Sequence, residues 1–421
     1  MTIINPSTEV HRVFFSPLWT CLEASPHQRQ CSDYSDRDFL ELGVTRVLLA
    51  VQSGRDLLQR LALLRETCPE RSNFFEALKS NRRLGMVEDV GERLRQRFAR
   101  SLPDALAEFP ALDDFDVYAA DGHSHSHAVH DAPVDGTKLV ITHLYALNLR
   151  NGWHSHLGMC RVKERGNHHD MAVLKSLPPA LLRLGAKRGR KVIHVYDRAG
   201  LDFGQWYRWK QGSGIYCISR MKDTVVLSVK VAKEFDSSDP INANVLSDEI
   251  VTPATSNQPL RRIRFYDVSG QVTYEFLTNE MTLPPGLIAH LYKMRWNIEK
   301  KFDVFKNKLH ENKAWASSET AKCMQAQFLC LASNLLLLLE HHIETKENLR
   351  NEAEMIRRKK RLDAAIKSSA KIGQTLPLAL RKLQQMTQHS VKFIRWVAAL
   401  LFCPIPWNQA INSLRASYAE L

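Results

Sequence analysis

Two stretches of the chain carry side chains whose types and spacing could do chemistry. The first reads DGHSHSHAVH, residues 121–130. His123, His125 and His127 alternate, so in a strand or strand-like loop they share one face. Nine of the chain's 17 histidines fall between His123 and His169, and imidazole is a zinc ligand. A hydrolase motif of the type HxHxDH, however, needs an Asp-His pair two residues after the second histidine. Here Ala128-Val129-His130 follows instead. The second stretch is LIAHLYKMRWNIEKKFDVFKNKL, residues 287–309. At helical periodicity Leu287, Leu291, Met294, Ile298, Phe302, Phe305 and Leu309 share one face. Tyr292, Arg295, Glu299 and Lys306 form a second stripe, within roughly 60° of one another. A helix buried on its apolar side would present an acid flanked by Arg, Tyr and Lys along one edge. Arg295 and Glu299 are also an i,i+4 pair, and a solvated edge with salt bridges accounts for the same pattern.

The elements around these stretches can be read from periodicity. Residues 37–110 read as helical, with Ser53-Gly54 interrupting VTRVLLAVQSGRDLLQRLALLRE (44–66) as a weak helix-turn-helix signal. Asn73 and Glu76 make a candidate capping pair. Arg82, Arg83, Arg93, Arg95, Arg97 and Arg100 make the next helix basic, as a solvated face or a phosphate-contacting one. FDVYAADGH, KLVITHLYALNLR and WHSHLGMCRV read as three strands. A helix broken at Pro178-Pro179 follows. KVIHVYDRAG (191–200) then reads as a doubly covered central strand ending in an acid. Further strands are expected between 203 and 280, around a polar stretch at 236–259. Leu283-Pro284-Pro285-Gly286 opens a long helical region running to about residue 345, and the remainder is basic and helical, with RRKKR at 357–361.

The 421 residues allow two or three domains. A net charge of +13 and a pI near 9.4 favour a polyanionic partner, nucleic acid first and an anionic membrane surface second, over a merely basic protein. The eight cysteines include no C-x-x-C spacing and read as scattered reduced thiols of a cytosolic protein. The N-terminus has no signal-peptide pattern, and the apolar run at 329–340 is too short to span a bilayer, so a buried helix is expected there.

The spacing Tyr292-x2-Arg295-x3-Glu299-x6-Lys306 resembles the signature of the insertion-sequence-4 family of DNA transposases. Arg295-Trp296 and Ile298-Glu299 fit that family's "RW.IE" core, and Thr278-Asn279 looks like its strand-end "TN". The resemblance covers about residues 40–340 and is strongest at 115–122, 191–203 and 277–309. It implies an α/β fold: a ribonuclease-H-like mixed sheet flanked by helices, with a β-rich insertion and helical N- and C-terminal regions. It also implies a carboxylate triad, matched here by Asp121 in Ala120-Asp121-Gly122, Asp197 in Tyr196-Asp197-Arg198-Ala199-Gly200, and Glu299.

The division that follows is a helical DNA-binding region at 1–110, a catalytic core at 111–204 and 283–345 around a β-rich insertion at 205–282, and a basic helical region at 346–421. Asp121, Asp197 and Glu299 would be both the catalytic residues and the ligands of two Mg²⁺ ions, with Mn²⁺ as a substitute; hard cations take oxygen donors. Tyr292, Arg295, Lys306, Trp296, Arg198 and Lys300 would contact DNA, and Trp206 and Trp209 either stack on bases or pack. The implied function is metal-dependent, cut-and-paste cleavage at transposon ends and strand transfer into target DNA. The implied partners are double-stranded DNA, at terminal inverted repeats and target, and a second subunit in a homodimeric synaptic complex. The implied setting is the bacterial cytoplasm, with no membrane. Three rivals stay open: a zinc hydrolase using the His123–His130 cluster, a non-catalytic repressor derived from a transposase, and a nuclease that cuts without joining.

Overall fold

The computed structural model describes residues 8–29, 34–51, 53–64, 70–133, 136–160, 170–268, 270–371 and 391–419; Cys31, Cys68, His168 and His169 lie outside these. The chain begins with five helices: α1 (Glu9–Glu23), α2 (Asp36–Leu48), α3 (Gly54–Leu64), α4 (Arg71–Leu78) and α5 (Asn81–Phe98). Hydroxyls of Thr8, Ser35 and Ser80 accept backbone N–H bonds at the starts of α1, α2 and α5, satisfying donors that the first helical turn leaves open. The expected Asn73/Glu76 cap is not formed. The chain is already helical from Arg71, which puts Asn73 inside α4.

Strands β1 (Phe115–His125), β2 (Ile141–Asn148) and β3 (His154–Met159) pair antiparallel. Helices α6 (Asp170–Ser176) and α7 (Pro179–Leu182), separated at the two prolines, lead to β4 (Lys191–Val195), which lies parallel to β1. Helix α8 (Phe203–Ser213) leads to β5 (Ile215–Arg220), parallel to β4. The order β3-β2-β1-β4-β5, with these directions, is ribonuclease-H-like. Four more strands, β6 (Leu227–Ala232), β7 (Val245–Pro253), β8 (Leu260–Asp267) and β9 (Val272–Thr278), pair antiparallel in succession, and β9 closes back onto β5. One nine-stranded sheet results. Strand β7 occupies the stretch read from composition as polar. Its acids pair across to β8, Asp248 with Arg261 and Glu249 with Arg262, so its charge is neutralised within the sheet.

Thr278 and Asn279 fasten the end of β9. Thr278 Oγ1 donates to the Cys217 carbonyl, and the Asn279 side chain accepts from Cys217 N and donates to the Trp206 carbonyl. Six residues after Asn279, α9 (Pro285–Asp303) begins, with proline at its first position, where no N–H is needed. Gly286 permits the close approach of this end: a Cβ there would lie 1.8 Å from the Ile241 carbonyl oxygen. Leu287, Ile288, Leu291, Met294 and Ile298 pack on Val117, Ala119, Ile193, Val195 and Ile218 of β1, β4 and β5.

The helical region expected to run to about residue 345 is made of two helices with a break between them. Residues Val304–Lys308 form a π-helical turn, a loop follows, and α10 spans Glu319–Lys346. The chain ends in α11 (Glu352–Ala370), α12 (Val391–Leu400) and α13 (Trp407–Ala419). Helix α10 alone among the described residues is long and apolar enough to cross a membrane, yet 78% of its apolar window is buried. It is the axis of a helical core shared by α1, α2, α5, α12 and α13. Helix α2 is buried almost throughout in that core, so it offers no face to a DNA groove.

Candidate active site

Asp121 lies within β1, not at its end. Pairing with β4 stops at Ala119–Val195, whereas pairing with β2 carries β1 on to His125. Asp197 stands two residues past Val195, as Asp121 stands two past Ala119, so the parallel register carries both acids beyond the same edge of the paired region. Asp197 caps a 3-10 turn through Ala199 N at 2.8 Å, and its carbonyl accepts from Ser219 Oγ. Glu299 is on the α9 turn that crosses this edge.

Arg295 joins two of the acids. Its Nη1 donates to Asp121 Oδ2 at 3.0 Å and its Nη2 to Glu299 Oε1 at 2.8 Å. The guanidinium is largely buried. Burial pulls its pKa down, but the Asp121 charge and the Glu299 hydrogen bond outweigh that and leave it raised. Tyr292 packs on Phe276 and under Arg295. Burial raises its pKa against Arg295 and Arg220, with Asp197 adding to the rise, so it stays a neutral phenol.

Tyr292, Arg295, Trp296 and Lys300 line a groove of about 500 Å³ beside the acids. Arg220, at the end of β5 with its guanidinium 4.6 Å from the Tyr274 ring, lines it too. Sequence reasoning missed Arg220, whose only signal was a cation closing an apolar strand. Trp296 is 57% exposed. Arg198 is half-buried in the turn that Asp197 caps. Lys306 is exposed on the π turn, so the α-helical wheel that set it in line with Glu299 does not hold past Asp303. Trp206 and Trp209 are buried beneath the sheet, which makes their role packing. Of the arginines on α5, Arg82 and Arg83 pair with Asp36, Arg93 with Asp89 and Arg95 with Glu92, so much of that positive charge is neutralised internally. In α11, Lys359 and Lys360 are exposed; the side chains of Arg357, Arg358 and Arg361 lie outside the described residues.

The histidines form packing and hydrogen bonds. His123 and His125 on β1, His143 on β2 and His154 and His156 on β3 face the π turn and α10. His123 stacks on Phe302, His154 meets Phe305, and His143 Nδ1 lies 3.0 Å from His156 Nε2. Burial holds His143 neutral, well below its ordinary pKa. Among the described residues no three His, Cys, Asp or Glu side chains converge closely enough to hold a metal ion. That applies to the imidazoles, and also to Asp121, Asp197 and Glu299 while Arg295 occupies two of those three carboxylates. In donor type the acids, not the imidazoles, suit a hard divalent cation.

Strand order, adjacent acids and the crossing helix define a ribonuclease-H-like protein with an arginine-bridged carboxylate centre. Residues 154–335 match the family model of the transposase DDE domain. That span includes Asp197, Tyr292, Arg295, Glu299 and Lys306 and begins downstream of Asp121. Over 148 residues the chain is 26% identical to the protein named "Putative transposase y4zB" of Sinorhizobium fredii. The alignment takes in 34% of this chain and 41% of that relative, so the chain spans less than half the length of the curated relative it matches.

Proposed function

We propose that this protein is a DNA transposase of the insertion-sequence-4 type, which nicks DNA at the ends of its element and joins the freed 3′-hydroxyl to target DNA. The observation that carries the reading is Arg295 bridging Asp121 on β1 and Glu299 on α9, beside Asp197, within a ribonuclease-H-like sheet. Asp121, Asp197 and Glu299 would hold Mg²⁺ or Mn²⁺, which in such a site activates the attacking oxygen and offsets charge on the departing one. Arg295 keeps the acids apart in charge and orders them. It also lines the groove, where with Tyr292, Arg220 and Lys300 it can hold phosphates, while Trp296 offers a face to a base. Lys306 and Arg198 flank this surface. The strands β6–β9 would brace the DNA end, the helices before residue 110 and after 346 would complete the DNA and subunit contacts, and two copies would synapse two ends.

The test is nicking and strand transfer on a DNA fragment bearing the element's ends, with Mg²⁺ or Mn²⁺, by the wild-type protein and Glu299→Gln. Cleavage that disappears in the variant while DNA binding persists supports the reading; equal cleavage by both proteins overturns it.

A further inference from the structure

The same face of β1 that carries Asp121 continues to His123 and His125, two and four residues on. His123 is buried, and its Nε2 lies 3.3 Å from the Glu311 carboxylate. Glu311 is 6% exposed. The contact is close but poorly aligned, and neither Glu311 oxygen has a hydrogen-bond partner among the described residues. A buried carboxylate in such a setting is expensive.

Glu311 sits where two parts of the centre meet. Its N–H donates to the Phe305 carbonyl in the π turn. One residue on, Ser126 at the end of β1 donates to the Asn312 carbonyl and accepts from Ala314 N. The loop is also held on the far side by Gln325 of α10, which accepts from Trp315 N and donates to the Lys313 carbonyl. The loop is therefore anchored without Glu311, whose carboxylate faces the strand instead. A third element reaches the same place. Arg46 of α2, 2% exposed and with Nε and Nη1 unsatisfied, shares a small cavity with Glu311.

We propose that Glu311 is a positioning residue. Through its contact with His123 it fixes the Asp121 segment of β1 against the turn that follows the Glu299 helix. Its catalytic consequence rests on the transposase reading; the clamp itself does not. Misplacing a reacting group by about 1 Å costs on the order of 100-fold in rate, and His123 is only about 7 Å along the strand from Asp121.

The test compares wild type, Glu311→Gln and Glu311→Leu by two measurements. Amide hydrogen exchange of the full-length protein reports the clamp without any need for activity. Exchange in Glu311→Leu should accelerate in peptides covering 119–126 while the rest, the 310–316 loop included, stays protected, and Glu311→Gln should lie between it and wild type. Single-turnover nicking with Mg²⁺ reports positioning. The rate should fall by roughly 100-fold in Glu311→Leu and less in Glu311→Gln, with affinity for DNA ends within about threefold of wild type. Unchanged exchange at 119–126 overturns the clamp. Altered exchange with an unchanged nicking rate overturns the positioning role, as does a loss of rate that merely tracks global loss of protection. If Glu311→Leu does not fold, the Gln variant decides by the same criteria. If the wild-type protein does not nick, the transposase reading fails and exchange alone judges the clamp.

Discussion

Acid should destabilise this protein through its buried imidazoles, and His194 allows the magnitude to be worked. It is fully buried on β4, its ring between those of Tyr118 and Tyr196 at centroid distances of 5.6 and 5.7 Å. Nε2 lies 2.7 Å from the Leu182 carbonyl and so carries the hydrogen; Nδ1 is buried with no hydrogen-bond partner among the described residues. Burial lowers the His194 pKa to about 4, against the opposing pull of the Leu182 bond. The unfolded chain takes up the proton at about pH 6.5, and the folded protein resists it down to about pH 4. The stability this group contributes is therefore complete above pH 6.5 and is lost as pH falls through that window. At ~1.4 kcal/mol per unit, lowering the pH from 7.5 to 5 removes about 2 kcal/mol. His194→Phe keeps a flat ring between the tyrosines, cannot titrate, and leaves the Leu182 carbonyl without its donor, which costs about 1–3 kcal/mol at neutral pH. Urea unfolding followed by tryptophan fluorescence should find the variant less stable at pH 7.5, with the gap closing by about 2 kcal/mol at pH 5. A gap constant to within about 0.5 kcal/mol across that range would refute the reasoning.

Arg261→Met should destabilise the protein by about 3–5 kcal/mol, because it strands Asp248 in the sheet interior without its two hydrogen bonds. Adding Asp248→Leu should restore most of that loss in thermal unfolding; no recovery in the double variant would mean that the pair is not the cause. Trp296→Ala should change stability by no more than about 0.5 kcal/mol, given its exposure. It should weaken binding to DNA ends by about 1–3 kcal/mol, roughly 5- to 150-fold, if the indole stacks on a base. Lost stability with unchanged affinity would make it a packing residue.

Much of the architecture could be read locally. The apolar period of α9 predicts the face it lays on the sheet, and the strand–strand–strand–helix–strand order sets Asp121 and Asp197 on neighbouring strands. What escaped depends on partners distant in sequence. Strand β7 looks polar because the cations that neutralise Asp248 and Glu249 lie 13 residues away on β8. The π turn at 304–308 cannot be distinguished by periodicity from one more turn of α-helix, so Lys306 was set in line with Glu299. Helix α1 lies inside the region read as helical, but its buried face, with Val10, Phe14, Leu18 and Leu22 at helical spacing, was not singled out. Glu311 gave no local signal, because its significance comes from a strand nearly 190 residues earlier.

The histidine-rich strand is intelligible once its face is considered as a gradient of charge. Asp121 is paired with the Arg295 guanidinium. His123 meets a single buried acid from the loop, and His125 stacks on His143, which burial keeps neutral. Aliphatic side chains along β1 would pack as well against Phe302 and Phe305 but could not meet Glu311 or stack on His143. Lysines would place uncompensated charge under α10. Imidazoles supply flat rings for the aromatic contacts and polar edges for the few buried partners, and burial keeps those of His143 and His156 neutral. The same choice sets a limit: His143 and His156, whose pKa values burial lowers, are sites where acid favours the unfolded chain. Strands β2 and β3, which carry His143 and His156, should therefore be among the first parts of the sheet to loosen as the pH falls below about 6.5.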